Sequence, residues 1–176
     1  MTGTCEDPGD GEDPEDCDMT ESEAEDLLAS VSSQILTNGT ASSGLEIGPD
    51  PNGIIKKPVT VKLHGIRYDY WGGLYAYYTL IFTGVIFKHT NNATWKFESI
   101  QYNNISKTSG REPICMTTEV TAAVAGPVIN TDRTQASFTS TITANLVLTC
   151  AFGSKVSSMT DDIDGIYLAG DPVTIF

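Results

Sequence analysis

Residues 136–152, ASFTSTITANLVLTCAF, decide the fold class of this chain, because apolar or small side chains occupy every second place. The intervening places hold mostly Ser, Thr and Asn. A period of two, with one apolar face and one polar face, indicates a strand of an antiparallel sheet that is buried on one side only. The positions of the expected buried face are Ala136, Phe138, Ser140, Ile142, Ala144, Leu146, Leu148, Cys150 and Phe152.

The neighbouring segments show the same period. ICMTTEVTAAVAG (114–126) alternates likewise, and PVINTDRTQ (127–135) turns the chain back, so we expect a hairpin. Further upstream, PVTVKLH (58–64) alternates until Gly65, after which the pattern resumes in the opposite phase, as a β-bulge would produce. LYAYYTLIFTGVIFKH (74–89), TWKFESIQY (94–102), GIYLAG (165–170) and PVTIF (172–176) supply further strands. The sequence therefore predicts a mostly β fold, an antiparallel β-sandwich that is immunoglobulin-like or jelly-roll-like, with one N-terminal α-helix.

Four regions are expected along the 176 residues. Residues 1–19 are Asp, Glu, Pro and Gly-rich, too polar to form a core, and are predicted to be an acidic flexible arm. Residues 20–36 form the amphipathic helix, ordered at about 21–33 and opened by Thr20 and Glu23 in a capping box. Residues 37–56 are expected to be a linker, and residues 57–176 the β-sandwich domain.

The charge distribution argues against nucleic-acid binding. The net charge is −13, and residues 1–55 carry 14 Asp and Glu without one Lys or Arg. The remainder holds 10 basic against 9 acidic residues and is nearly neutral. Phosphate binding requires clustered Lys and Arg, so we expect no nucleic-acid partner. No apolar run is long enough for a membrane helix and no leader pattern opens the chain, so any membrane attachment is expected through a lipid anchor.

The stretch RYDYWGGLYAYY (67–78) is the best lead for ligand binding. It holds too many aromatic rings for one sheet face to hide if the chain alternates. Flat rings beside polar groups suit stacking on sugars or on an apolar protein surface. The alternative is that these rings fill the core and edge of the sandwich. The predicted aromatic patch consists of Tyr68, Tyr70, Trp71, Tyr75 and Tyr77.

Calcium is the one metal that the sequence suggests. MTDDIDG (159–165) places Asp162 and Asp164 beside a glycine, although Thr160 stands where the first acid of a calcium loop belongs. The acidic N-terminal arm offers more carboxylates, without fixed spacing. A solvated acidic loop explains both segments equally well, so no cofactor is expected, with weak calcium binding as the exception.

The four cysteines allow three pairings. Pairing of Cys5 with Cys17 and of Cys115 with Cys150 is the first expectation, and four thiols without bonds are the alternative. Zinc is disfavoured because no C-x-x-C occurs and His64 and His89 lie far from any cysteine in the sequence.

WKFESIQYNNISKTSG (95–110), followed by a Cys-containing strand and a Thr/Ser-alternating strand, resembles uncharacterised surface lipoproteins of the Bacteroidota. CEDPGDGEDPEDCDM (5–19), which leads into an acidic helix, is similar to the mature ends of that family. The resemblance implies a cell-surface location and an acylated Cys5 in front of an acidic export signal. It implies no biochemical activity.

Catalysis is not expected, because a nucleophile needs a His oriented by an acid, and only His64 and His89 exist. We therefore expect a non-enzymatic extracellular or cell-surface binding or structural protein that recognises a protein or carbohydrate through exposed aromatics or sheet edges. A self-assembling virion or extracellular filament subunit, which would bind copies of itself, is the first alternative. A small hydrolase is the second.

Overall fold

The computed structural model describes residues 17–176. They form one helix and nine strands. The helix α1 spans Glu21–Ser30, and a single 3-10 turn spans Trp71–Gly73. The strands are β1 Ser32–Ile35, β2 Gly39–Ser43, β3 Ile54–Asp69, β4 Tyr75–His89, β5 Lys96–Gly110, β6 Met116–Ile129, β7 Gln135–Cys150, β8 Gly153–Leu168 and β9 Thr174–Ile175.

The strands make two antiparallel sheets whose inner faces share one core, which confirms the predicted mostly β sandwich with one N-terminal helix. In the first sheet the order is β1-β3-β4-β5, and β2 pairs with β3 beside β1. The second sheet has the order β6-β7-β8-β9. From β3 to β5 and from β6 to β9, each strand lies beside its chain neighbour. The described strands are therefore two meanders, without the Greek-key crossings of immunoglobulin folds.

The helix begins as predicted and ends earlier. The Thr20 hydroxyl accepts a hydrogen bond of 3.2 Å from the Glu23 amide, and the Glu23 carboxylate accepts one of 2.9 Å from the Thr20 amide. Helix α1 stops at Ser30, and Val31 is already extended. The expected helix up to 33 or 36 was wrong because Ser32–Ile35 pairs with the end of β3 instead. Tertiary pairing overrides a weak helical preference over so few residues.

The expected linker at 37–56 was also wrong in part. Gly39–Ser43 pairs with β3 from Gly39 opposite Leu63 to Ser43 opposite Val59, and β3 itself starts at Ile54. Small residues such as those of β2 lack intrinsic strand preference, but β3 offers an unpaired row of backbone groups that they satisfy.

The predicted bulge in β3 is confirmed. Leu63 lies opposite Leu80, and Ile66 lies opposite Tyr78. Between these two pairs β3 therefore advances by three residues while β4 advances by two. Side chains before and after Gly65 therefore change phase while the inner face stays apolar. Residues of β3 on that inner face are Val59, Val61, Leu63, Ile66 and Tyr68.

The core is centred on aromatic rings from both sheets. The ring centroid of Phe82 on β4 lies 4.7 Å from that of Phe138 on β7 and 5.2 Å from that of Tyr167 on β8. All three side chains are nearly or fully buried. Each such ring removes a large apolar area from water and contributes roughly 2–3 kcal/mol. The alternation of β7 predicted the inward position of Phe138 correctly.

The expected acidic loop at 159–165 and the expected short separate strand at 165–170 were both wrong, because residues 159–168 all belong to β8. Residues 153–168 are one strand, paired along its whole length with β7. Gly165 lets the Phe138 ring pack directly against the backbone of β8, because a Cβ atom at position 165 would lie 2.3 Å from that ring. Asp161 faces inward and accepts a hydrogen bond of 3.1 Å from the Ser33 hydroxyl.

The disulfide in the described residues joins Cys17 to Cys150. The expected pairings of Cys5 with Cys17 and of Cys115 with Cys150 were therefore wrong. The Ala151 amide donates a hydrogen bond of 3.2 Å to the Cys17 carbonyl, so the segment before α1 runs beside the end of β7. Cys5 and most of the expected acidic arm lie outside the described residues.

Candidate binding face

The predicted aromatic patch does not form one surface. Tyr68 and Tyr70 point into the sandwich and are 0% and 7% exposed. Trp71 begins the 3-10 turn after β3 and is half-buried against the core. Tyr75 and Tyr77 lie on β4 at positions that alternate with buried Ala76 and Tyr78. The structure thus assigns Tyr68 and Tyr70 to packing and leaves Tyr75 and Tyr77 on the outer face of the first sheet.

The buried tyrosines are held in their neutral form. Burial raises the pKa of Tyr70 to about 12, and the Tyr70 hydroxyl lies 3.1 Å from the Thr118 hydroxyl of β6. Burial likewise raises the pKa of Tyr68, and that of Tyr78, whose hydroxyl donates to Glu112 at 3.2 Å. A phenol that ionises so reluctantly serves packing rather than proton transfer near neutral pH.

Arg67 joins the two outer tyrosines into one group. Its Nη1 donates a hydrogen bond of 2.7 Å to the Tyr77 hydroxyl, and its Nε donates one of 2.8 Å to Asp69 Oδ1. The guanidinium carbon lies 4.4 Å from the centroid of the Tyr75 ring. The two tyrosine rings meet edge to face, with their centroids 5.3 Å apart. We call these four residues, Arg67, Asp69, Tyr75 and Tyr77, the tyrosine–arginine cluster.

Strand register explains why the cluster forms. Arg67 lies directly opposite Tyr77 and Asp69 directly opposite Tyr75 in the β3–β4 ladder. Directly opposed side chains on one sheet face are close enough to interact. Arg67 and Asp69 reach this face because of the bulge at Gly65. The predicted aromatic patch included neither Arg67 nor Asp69, although the change of phase after Gly65 in the sequence indicates that both lie on the outer face.

Two depressions border the cluster on the surface of the first sheet. One has a volume of about 360 Å³ and is lined by Tyr77 together with Leu36, Asn38, His64, Thr108 and Ser109. The other has a volume of about 320 Å³ and is lined by Tyr75 together with Gly73, Leu74, Gly110 and Arg111. Both fall at the lower end of the range typical of small-molecule sites. Their linings combine aromatic edges with hydroxyl, amide, imidazole and guanidinium groups.

The two acids proposed for calcium lie elsewhere, on the outer face of the second sheet. Asp162 accepts a hydrogen bond of 3.0 Å from the Thr141 hydroxyl, and both Asp162 and Asp164 are exposed beside a shallow depression of about 300 Å³. In residues 17–176, the only group of three or more His, Cys, Asp or Glu close enough to share a metal is Cys17, Cys115 and Cys150. Asp162 and Asp164 lie two residues apart on strand β8 and not in the glycine-containing loop that wraps oxygen ligands around a calcium ion.

Neither histidine is arranged for catalysis in the part of the chain that the structure describes. His64 lines the depression beside Tyr77, and His89 is exposed at the end of β4. No hydrogen bond between described side chains links His64 to a hydroxyl or a carboxylate. The oriented base that nucleophilic catalysis needs is therefore not assembled by these residues.

No family model matches the chain, and neither does any curated protein or any solved structure. Among the described helices, none is both long and apolar enough to pass through a membrane. The fold and the cluster define the class as a two-sheet antiparallel sandwich with an aromatic and cationic outer face.

Proposed function

We propose that this protein is a non-enzymatic extracellular or cell-surface binding protein that recognises a carbohydrate on the outer face of its first sheet. The observation that carries the proposal is the tyrosine–arginine cluster, in which Tyr75 lines one depression that also holds Arg111 and Tyr77 lines a second that holds Asn38, His64 and hydroxyl groups. Sugars offer this site both kinds of contact it can make. Their C–H faces stack on aromatic rings, and their hydroxyls exchange hydrogen bonds with the polar lining.

The hydrogen bonds within the tyrosine–arginine cluster favour a rigid recognition surface. Arg67 is held by Asp69 and Tyr77, so its guanidinium is fixed before any ligand arrives. A fixed group loses less conformational entropy on binding than a mobile one, which strengthens affinity for the same contacts. Strands position these side chains more accurately than loops would.

A carbohydrate fits the face better than a protein partner does. Protein interfaces have a wide, flat and apolar centre, usually burying about 800 Å² on each partner. Here the exposed ring surface is small and its surroundings are polar. Large apolar side chains that are well exposed, such as Leu45, Val128, Val156 and Phe176, lie outside the cluster and are scattered along the chain.

The proposed location rests on two observations. The Cys17–Cys150 disulfide suits an oxidising compartment, since disulfides are rare in the cytosol. The resemblance to surface lipoproteins supports the same location and adds an acyl chain on Cys5. Acylation of the Cys5 sulfur and a disulfide at that sulfur exclude one another.

The proposal is tested by screening the labelled full chain against an array of plant, microbial and animal glycans and measuring hits by calorimetry. We expect a glycan that binds the wild type, with affinity lowered at least tenfold in Tyr75→Ala and in Tyr77→Ala. Asn103→Ala is the matched control, because Asn103 lies on the same sheet and contacts Thr83 away from both depressions. Hits that bind both tyrosine variants unchanged, or a screen without hits, would contradict the proposal.

A second candidate, a self-assembling virion or filament subunit, is favoured by the edge strand β6. In the described part of the chain β6 pairs with β7 alone, and it presents 14 residues of edge. A long edge is a template for pairing with another copy. The Gly126–Pro127 step interrupts this edge, because Pro donates no ladder hydrogen bond.

A further inference from the structure

The depressions on the outer face of the first sheet have basic residues in their linings. Besides the two that border the tyrosine–arginine cluster, a third depression of about 220 Å³ is lined by Lys62, His64, Lys107 and Thr108 together with their strand neighbours. It shares His64 and Thr108 with the depression at Tyr77. No Asp or Glu among residues 17–176 lines any of the three, although the chain holds 23 acidic residues against 10 Lys and Arg. We call the three depressions together the basic groove.

Two depressions beside strand β8 have the opposite character. Their volumes are about 300 and 100 Å³, and Asp162 and Asp164 line both of them. No Lys, Arg or His from the described part of the chain lines either one. Residues 56–176 are nearly neutral as a whole, with 10 basic and 9 acidic side chains. The folded body therefore separates its charges, with cations in the basic groove and carboxylates along β8.

We infer that the basic groove binds an acidic oligosaccharide, one whose sugar rings carry carboxylates or sulfate esters. The inference rests on the proposed carbohydrate recognition and specifies its class of ligand. Both substituents offer negatively charged oxygen atoms as hydrogen-bond acceptors. Hydrogen bonds from an ammonium or a guanidinium to such oxygens are about twice as strong as bonds between neutral groups. A neutral glycan would leave the cations of the groove without this contact.

Lys62 is the cation best placed to meet a ligand at one end of the groove. It is exposed and alternates on β3 with buried Val61 and Leu63, so it lies on the outer face of the sheet. Within residues 17–176, no carboxylate forms a salt bridge with Lys62. Its ammonium can therefore meet an anionic substituent without first giving up one of these carboxylates. Lys107 differs, because its ammonium lies 3.1 Å from the Glu112 carboxylate.

Arg111 provides the cation at the other end. The residue follows β5 and is exposed, and its backbone amide donates a hydrogen bond of 2.8 Å to the Tyr75 carbonyl. This bond anchors Arg111 beside Tyr75 in the lining of the same depression. A planar guanidinium can bind a carboxylate through two parallel hydrogen bonds. Arg67 lies between the two ends, and its charge is already balanced by Asp69.

The length of the groove requires a ligand of several sugar rings. Lys62 lies opposite Ile81 in the β3–β4 ladder, whereas Arg111 is bonded to Tyr75 at the start of β4. Tyr75 and Ile81 are six residues apart, which corresponds to about 20 Å along a strand that rises about 3.4 Å per residue. A single sugar ring is several-fold shorter than this distance. A ligand that meets both cations is therefore an oligosaccharide.

The net charge of −13 does not prevent an acidic ligand from binding. At physiological ionic strength, interactions between exposed charges are largely screened beyond about 8 Å. A ligand in contact with the groove therefore responds mainly to the cations that line it. Cations lining a cleft also raise the local concentration of an anionic ligand.

The test is calorimetry of the full chain with two matched pairs of ligands. One pair is an oligogalacturonide several sugars long and its methyl ester, which differ in the charge of the carboxylates. The other pair is a sulfated galactan oligosaccharide and its desulfated form. We expect an acidic member to bind about tenfold more tightly than its neutral counterpart, because only the acidic member makes charge-assisted hydrogen bonds. The pair that shows the difference identifies the anionic group as carboxylate or sulfate.

Charge-removing variants locate the contact. Lys62→Gln and Arg111→Gln should each lower the affinity for the acidic member by about tenfold and leave that for the neutral member unchanged. Lys56→Gln is the matched control, because it removes the same charge from the same strand outside the three depressions. A loss of affinity in Lys56→Gln equal to that in the groove variants would overturn the inference, and so would unchanged affinity in both groove variants.

The remaining outcomes separate this inference from the proposed function. Glycans that bind through Tyr75 and Tyr77 equally well in neutral and acidic form would overturn the inference and leave carbohydrate recognition standing. A glycan array without hits, together with no binding of either ligand pair, would overturn both. A single-stranded oligonucleotide that binds more tightly than the acidic glycans, and loses affinity in Lys62→Gln, would assign the groove to nucleic acid instead.

Discussion

Arg67 donates a hydrogen bond of 2.7 Å to the hydroxyl of Tyr77, the residue directly opposite it on the neighbouring strand. The same guanidinium lies over the Tyr75 ring, with its carbon 4.4 Å from the ring centroid. One cation therefore contacts both Tyr75 and Tyr77 on the outer face of the first sheet.

Arg67→Ala should weaken glycan binding without unfolding the protein. The change removes the donor that holds Tyr77 and the cation that covers Tyr75, so we expect a loss of affinity of about tenfold, or ~1.4 kcal/mol. Arg67→Lys should not restore affinity, because an ammonium lacks the planar fork of donors. Calorimetry with the glycan found in the screen measures both, with Lys56→Ala as a control for loss of a surface cation. Full rescue by Lys would contradict the positioning role of Arg67.

Core and surface aromatics should differ sharply in their effect on stability. Phe82→Ala should lower the free energy of unfolding by about 3–5 kcal/mol, because the ring is fully buried against Phe138 and Tyr167. Tyr75→Ala, at a side chain 38% exposed, should lower it by no more than about 1 kcal/mol. Urea unfolding followed by tryptophan fluorescence gives both values. Similar costs for the two variants would show that Tyr75 belongs to the core.

Stability should fall as the pH rises through the alkaline range. Burial raises the pKa of Tyr70 from 10.0 to about 12, so between these values the unfolded chain gives up a proton that the folded chain keeps. The stabilising contribution of this group is thus complete below pH 10 and is lost progressively up to about pH 12. Urea midpoints measured from pH 9 to 12 should fall less steeply for Tyr70→Phe than for the wild type. An equally steep fall in both proteins would refute the assignment, and Tyr75→Phe controls for the loss of a hydroxyl elsewhere.

Loss of the Cys17–Cys150 disulfide should destabilise the chain by about 2–5 kcal/mol, since the bond closes a loop across 133 positions. The double variant Cys17→Ser/Cys150→Ser tests this by urea unfolding against the wild type. The helix should be affected most, because Cys17 lies just before it. Circular dichroism at a helical wavelength, followed beside tryptophan fluorescence, should report an earlier transition for the helix. Coincident transitions at the wild-type midpoint would contradict the expectation.

A binding module and an assembling subunit differ in solution behaviour. We expect a monomer in size-exclusion chromatography at micromolar concentration, with no growth in size as concentration increases. If larger species form, Val128→Lys should reverse them when β6 is the contact, since Val128 is 65% exposed on that strand and a lysine there opposes edge pairing. Concentration-dependent oligomers that this substitution dissolves would favour the assembling subunit.

The sequence predicted best where one segment carried its own pattern. The alternation from Ala136 to Cys150 gave the inward face of β7 position by position, and the capping box gave the start of the helix. Both signals are local, so the information needed lies within a few residues. The bulge at Gly65 was visible for the same reason.

The sequence failed where pairing across the chain decided the outcome. Asp162, Asp164 and Gly165 look like a turn by composition, but β7 pairs with that segment along its whole length and makes it a strand. The cysteine pairing depended on β7 ending beside the segment that precedes the helix, which no local pattern reveals. The aromatic patch was expected as one set, and strand register divided it between the core and the outer face.

The extra residue at the β3 bulge determines which side chains of the second half of β3 face solvent. If the strand retained Gly65 but alternated regularly through it, without the bulge, every later side chain would move to the opposite face of the sheet. Tyr68 would then turn to water, and Arg67 and Asp69 would be driven into hydrocarbon. The bulge absorbs the extra residue and so keeps Arg67 and Asp69 on the outer face, and deleting Gly65, which makes β3 match the two steps of β4, is expected to leave both side chains there.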